Sequence, residues 1–150
     1  MLLGTPAEEG GGGKIAMIDR GCFDDIDLAM MAHPSPTDCL YPPFLCTTMV
    51  AVSYHGRNAH AAAAPWDGVN ALDAVLQAFS NISMMRQQMK PSWRVHGVIT
   101  EGGQKANIIP DLTETNWIIR TPDLIEMADL KARMEGCFKA AGTGENRQHR

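Results

Sequence analysis

Apolar and polar positions fall into two blocks with different rhythms. In the first, Leu2 and Leu3 end a short apolar run, Thr5 and Pro6 punctuate it, and a second apolar run covers 27–32. Between them lies a segment that closes at Gly21. This predicts a strand over 2–5, a helix over 11–20 and a strand over 27–32, a βαβ piece of a parallel α/β sheet. The stretch PSPTDCLYPPF, with prolines at 34, 36, 42 and 43, continues neither helix nor central strand and predicts a stiff connector.

The second block begins with the alternating strand TTMVAVSYHG after Cys46. A helix is expected over 68–88, with Val69, Leu72, Val75, Leu76, Phe79 and Ile82 on one face, capped by Asp67 or Asn70. Strands are expected over 93–100 and 113–120, with an edge strand tolerating Pro110 before the second. A last helix over 122–139 takes Pro122 in its first turn and repeats apolar residues at Leu124, Met127, Leu130 and Met134. The order βαββα predicts a two-layer, ferredoxin-like α+β module without its last strand. The predicted organisation is a partial α/β domain over 1–44, an α+β module over 45–141 and a disordered polar tail over 142–150.

Composition narrows the partners. An apolar share of 45% supports a buried core, and a formal net charge of −4 offers no broad attraction for nucleic acid or anionic lipid. No apolar run approaches the roughly 20 residues of a membrane span, so a soluble chain is expected. The four cysteines form no CxxC pair, which fits reduced thiols and a cytoplasmic setting.

Several side chains are candidates for chemistry. Glu8 and Glu9, between a strand end and the run Gly10–Gly13, are either a solvated acidic turn or a pair with separate tasks, one on a metal and one on a proton. His33, ending the second strand, is either a strand-end residue or a metal ligand that parallel pairing brings near Glu9. His60, ahead of four alanines, is either incidental to a helix start or placed where something comes close. Arg120, after Trp117, Ile118 and Ile119, is either a carboxylate clamp or a snorkelling strand-end residue.

GTPAEEGGGGK, AHP, GRNAHAAAAPWDGVNA and GGQKANIIPD with the later arginine resemble the amidohydrolase and dipeptidase branch of the zinc aminoacylase and carboxypeptidase-like family, over roughly residues 1–140. The resemblance implies zinc-dependent hydrolysis of an amide or dipeptide bond, in β-alanyl-lysine-type dipeptides or N-acyl amino acids. It implies Glu8 as general base, Glu9 and His33 as metal ligands, His60 as an oxyanion-stabilising residue of the lid, and Asn107 and Arg120 as substrate-binding residues. It further implies two zinc ions in a complete site and a homodimer formed through the lid. The family's upstream His, Cys and Asp ligands have no counterpart before Met1, and His149 lies in no matching context. A truncated form with an incomplete ligand set is therefore expected. The alternative is a noncatalytic dimerisation module.

Overall fold

A computed structural model describes residues 1–145, which separate into two compact units, 1–40 and the remainder from Tyr41 onward. The first unit corrects the βαβ expectation. Its only regular element is the helix α1, Gly13–Ile18, and neither 2–5 nor 27–32 forms a strand. Parallel strands depend on covered faces and on neighbours for their ladder. Here the apolar side chains that such faces would bury stand open, with Leu2 98% and Met30 90% exposed. Leu2, Leu3, Phe23, Ile26, Leu28 and Met31 line a cavity of about 1110 Å³ within this unit.

The second unit contains β1 (Cys46–His55), α2 (Ala71–Met85), β2 (Arg94–Glu101), β3 (Leu112–Thr121) and α3 (Leu124–Glu145). The antiparallel sheet has the order β1-β3-β2. Both flanking strands run antiparallel to β3, so β1 and β2 are parallel with β3 inserted between them, a split βαβ. Among the described residues β1 and β2 are its open edges. Pro110 lies in a loop before β3 rather than in the edge strand expected there.

Alternation along β3 turns Thr113, Thr115, Trp117, Ile119 and Thr121 inward and leaves Glu114, Asn116 and Arg120 exposed. The helices cover the inner face. On α2 the buried stripe is Ala71, Ala74, Val75, Ala78 and Ile82, while Leu76 points out at 51% exposure. The expected leucine-lined face is thus rotated toward alanine. Small side chains let the helix approach closely, and Phe79 reaches Trp117 with ring centroids 4.4 Å apart. Asn70 caps α2, its Oδ1 accepting from the Leu72 amide at 3.0 Å.

On α3 the buried residues Met127, Leu130, Met134, Phe138 and Ala141 repeat at three- and four-residue spacing. Asp123 Oδ1 caps the helix through the Glu126 amide at 2.8 Å, so Pro122 precedes it. Continuing apolar spacing through Ala141 carries the helix past 139, and 142–145, expected as tail, are helical. Residues 146–150 lie outside the described residues.

Buried hydroxyls have partners. Thr113 Oγ1 donates to Ala71 O, Thr115 Oγ1 to Val52 O and Tyr54 OH to Phe138 O. Burial, aided by the nearby Cys137 thiol, pushes the Tyr54 phenol up to about 12. The four cysteines are free, and no helix among the described residues is long and apolar enough to cross a membrane.

Candidate functional site

In the first unit, Glu8 and Glu9 occupy an exposed turn that the backbone holds under constraint. Ala7 has a positive φ of 56°, a conformation a side chain adopts at a cost, and its carbonyl accepts from the Gly11 amide at 3.1 Å. The glycine run meets the close approach its composition predicts, and the approaching group is the chain itself. A Cβ at Gly13 would lie 1.9 Å from Pro6 O, so only glycine fits there.

His33 is exposed, with Nδ1 donating to the neighbouring Pro34 carbonyl at 2.7 Å. Among the described residues no group of three or more His, Cys, Asp or Glu side chains is arranged to hold a metal ion. Glu9 and His33 supply two donor types that suit zinc, but a catalytic zinc takes three protein ligands. The residues present do not make up that set.

In the second unit, the loop after β1 and the loop before β3 are laced together by their backbones. Gly56 N–H donates to Asp111 O, Arg57 and Val69 exchange two hydrogen bonds, Ile109 N–H donates to Ala59 O and Ala61 N–H to Asn107 O. Gly56 is required here, because a Cβ would meet Val69 O at 2.0 Å. Asn58 Nδ2 adds a bond to Asp111 Oδ2 at 3.3 Å. This lacing forms a bridge between His60 and Ile108, which places His60 beside Asn107.

The histidine ring is itself anchored. Its Nδ1 accepts the amides of Ala62 and Ala63 at 3.2 and 3.1 Å. An accepting Nδ1 carries no proton, so in the neutral ring the proton resides on Nε2. The exposed side chain therefore presents a fixed N–H donor, suited to a developing negative charge. The run of alanines, which carries no evident chemistry in the sequence, contributes through its amides. A histidine followed at two and three residues by small residues free to turn is the signal for this arrangement. Beside it, Asn70, Leu72, Gly103, Lys105, Ile108 and Pro110 line a cavity of about 360 Å³.

Arg120 is not part of this cluster. It lies on the outer sheet face, opposite Thr47 on β1 and Arg94 on β2. His60 and Asn107 adjoin the other end of β3, where His55 pairs with Leu112. Eight residues of strand separate Leu112 from Arg120, roughly 27 Å at strand rise. Among the described residues the Arg120 side chain makes no hydrogen bond or ion pair, although its backbone belongs to the ladder of β3. Arg94 turns its Nη1 to the carbonyls of Pro91 and Trp93.

The peptidase dimerisation domain family matches residues 48–145. The Xaa-Arg dipeptidase of Mus musculus is 51% identical over 141 residues, covering 94% of this chain and 33% of the relative. The Homo sapiens Xaa-Arg dipeptidase is 49% identical, with coverage of 94% and 32%. The crystal structure of an aminobenzoyl-glutamate utilization protein from Klebsiella pneumoniae superposes with a TM-score of 0.61 at 23% identity, over 72% of this chain and 28% of that one, a likeness of fold. The chain spans about a third of the length of the curated relatives it matches.

Proposed function

The chain belongs to the peptidase dimerisation domain family, and from that premise we propose that it provides the lid of a dimeric dipeptide hydrolase together with the loop bearing its general base. Residues 45–141 are the lid, 1–44 part of the catalytic domain, and the setting is cytoplasmic. The substrate is a small dipeptide or N-acyl amino acid; the names of the two mammalian relatives favour arginine as its C-terminal residue, and the β-alanyl-lysine-type resemblance adds lysine. The observation that carries this reading is the amide-anchored His60 beside Asn107, a preset donor on a lid module.

Glu8 takes a proton from the attacking water as its oxygen bonds to the scissile carbonyl carbon, and passes that proton to the leaving amine. His60 Nε2–H donates to the oxyanion that forms, with the Asn107 amide alongside. Arg120 grips the substrate's terminal carboxylate through its two-pronged guanidinium. The separation of His60 and Arg120 along one lid supports a two-fold arrangement, in which His60 and Asn107 of one copy and Arg120 of the other serve the same substrate. Glu9 and His33 are assigned to zinc. As the described residues supply no three-donor set, no step here runs through the metal.

The test is a chimera in which this chain replaces the matching 141 residues of the mouse relative. It should cleave alanyl-arginine. Glu8→Gln should lower turnover by a factor of about 10² to 10⁴. His60→Ala should lower kcat, and Arg120→Lys should chiefly raise KM. An inactive chimera, or full activity in Glu8→Gln, refutes the reading. A noncatalytic dimerisation module is the second reading, favoured by the lack of a three-donor cluster among the described residues and by the open edges of β1 and β2. The chimera distinguishes it: a folded, dimeric chimera without cleavage supports this second reading, and cleavage that falls in Glu8→Gln rejects it.

A further inference from the structure

The chain's three tryptophans have different surroundings. Trp117 is 1% exposed, packed against Phe79 and Phe138 with ring centroids 4.4 and 5.5 Å away, and its Nε1 donates to Thr115 Oγ1. Trp93 is 5% exposed, donates its Nε1 to Glu126, and has the cations of Lys90 and Arg133 at 5.6 and 5.4 Å from its ring. Trp66 is 77% exposed, and among the described residues its ring has neither an aromatic partner nor a cation.

Its backbone is nevertheless firmly held. Trp66 is the middle residue of the 3-10 turn Pro65–Asp67, which is closed by Asp67 N–H to Ala64 O and Gly68 N–H to Pro65 O, both 3.1 Å. Arg57 Nε donates to Asp67 O at 2.6 Å, and Gly68 fits closely against Ile109 and Ala59. The turn follows the His60 loop directly, since the Ala64 amide donates to His60 O at 3.2 Å. An aromatic ring on a rigid support beside the anchored histidine thus keeps its faces open. The exposed Asp67 carboxylate next to it has no partner among the described residues.

An open indole face attracts an organic cation, and a carboxylate one residue along the chain adds negative charge to the same turn. Trp93 with Lys90, Arg133 and Glu126 shows the same chemistry satisfied internally. We propose that Trp66, with Asp67 beside it, receives the guanidinium or ammonium of the substrate's C-terminal side chain and so selects basic dipeptides. This rests on the hydrolase reading above and names a specificity residue for the same site. A neutral side chain of the same length gains no cation–π attraction there, so selectivity follows charge more than size.

In the chimera, Trp66→Leu should reduce kcat/KM for alanyl-arginine about 3- to 30-fold more than for the neutral isostere alanyl-citrulline, and Trp66→Phe should recover part of the difference. Equal losses on both substrates overturn the proposal. If the unmodified chimera cleaves neither substrate, the hydrolase reading fails by itself, and the isolated chain decides the role of Trp66. Its indole N–H resonance, identified by its disappearance in Trp66→Leu, should shift on titration with Nα-acetyl-arginine amide and not with Nα-acetyl-citrulline amide. The same response to both ligands, or to neither, rejects the inference.

Discussion

Tyr54→Phe removes one hydroxyl from the junction of β1 and α3. The residue is 1% exposed, and its hydroxyl donates to Phe138 O at 3.1 Å. Near neutral pH the loss of this bond should cost about 1 kcal/mol. Alkaline pH reverses the comparison. Burial and then the Cys137 thiol raise the phenol from 10.0 to about 12. A raised folded-state value means that the contribution is complete below pH 10 and is lost as pH climbs toward 12. By pH 11 the unfolded chain has ionised at this position while the folded chain has not, which removes about 1.4 kcal/mol from the wild type and nothing from the Phe variant. For a unit of this size that corresponds to roughly 5–10 °C in Tm. Urea unfolding at pH 8, 10 and 11 should therefore show Tyr54→Phe less stable at pH 8 and at least equal at pH 11. A Cys137→Ala background should reduce the slope without abolishing it, since burial is the larger cause. Parallel pH profiles for wild type and Tyr54→Phe would refute the reasoning.

Gly97 lies opposite Trp117, and a Cβ there would fall 2.3 Å from Trp117 Cε3, so Gly97→Ala should cost about 1–3 kcal/mol or more in denaturant melts. Hydrogen bonds from Lys90 and then Trp93 hold the Glu126 carboxyl below its ordinary value. Its contribution is therefore present above the usual carboxylate range and lost as pH falls below it. The wild type should lose more stability between pH 6 and pH 3 than Glu126→Gln, and identical losses would contradict the assignment. Asn70→Ala, which removes the α2 cap, should lower stability by about 1 kcal/mol with the helix retained by circular dichroism.

Local pattern determined much of the second unit. Alternation from Cys46 marks β1, three- and four-residue spacing marks α2 and α3, and the prolines at 34–43 mark the segment where the two units divide. The motifs around Glu8, His60 and Asn107 stand out in the sequence through residue types and short spacings, and their roles remain proposals. Contacts distant in sequence decided the rest. Apolar runs at 2–5 and 27–32 carry strand character, but a ladder needs neighbours that local pattern does not supply. Periodicity places an apolar stripe on α2 without saying which way it turns; the bulk of Trp117 and the neighbouring α3 brought the alanines inward. Antiparallel register put Arg120 at one end of β3 and His60 with Asn107 at the other, although the resemblance implies roles for all three toward one substrate. The His60 ring orientation comes from amides folded back onto it. Period and punctuation act within a few residues of chain, whereas register, facing and tautomer depend on which distant groups remain to be paired once the backbone has closed on itself.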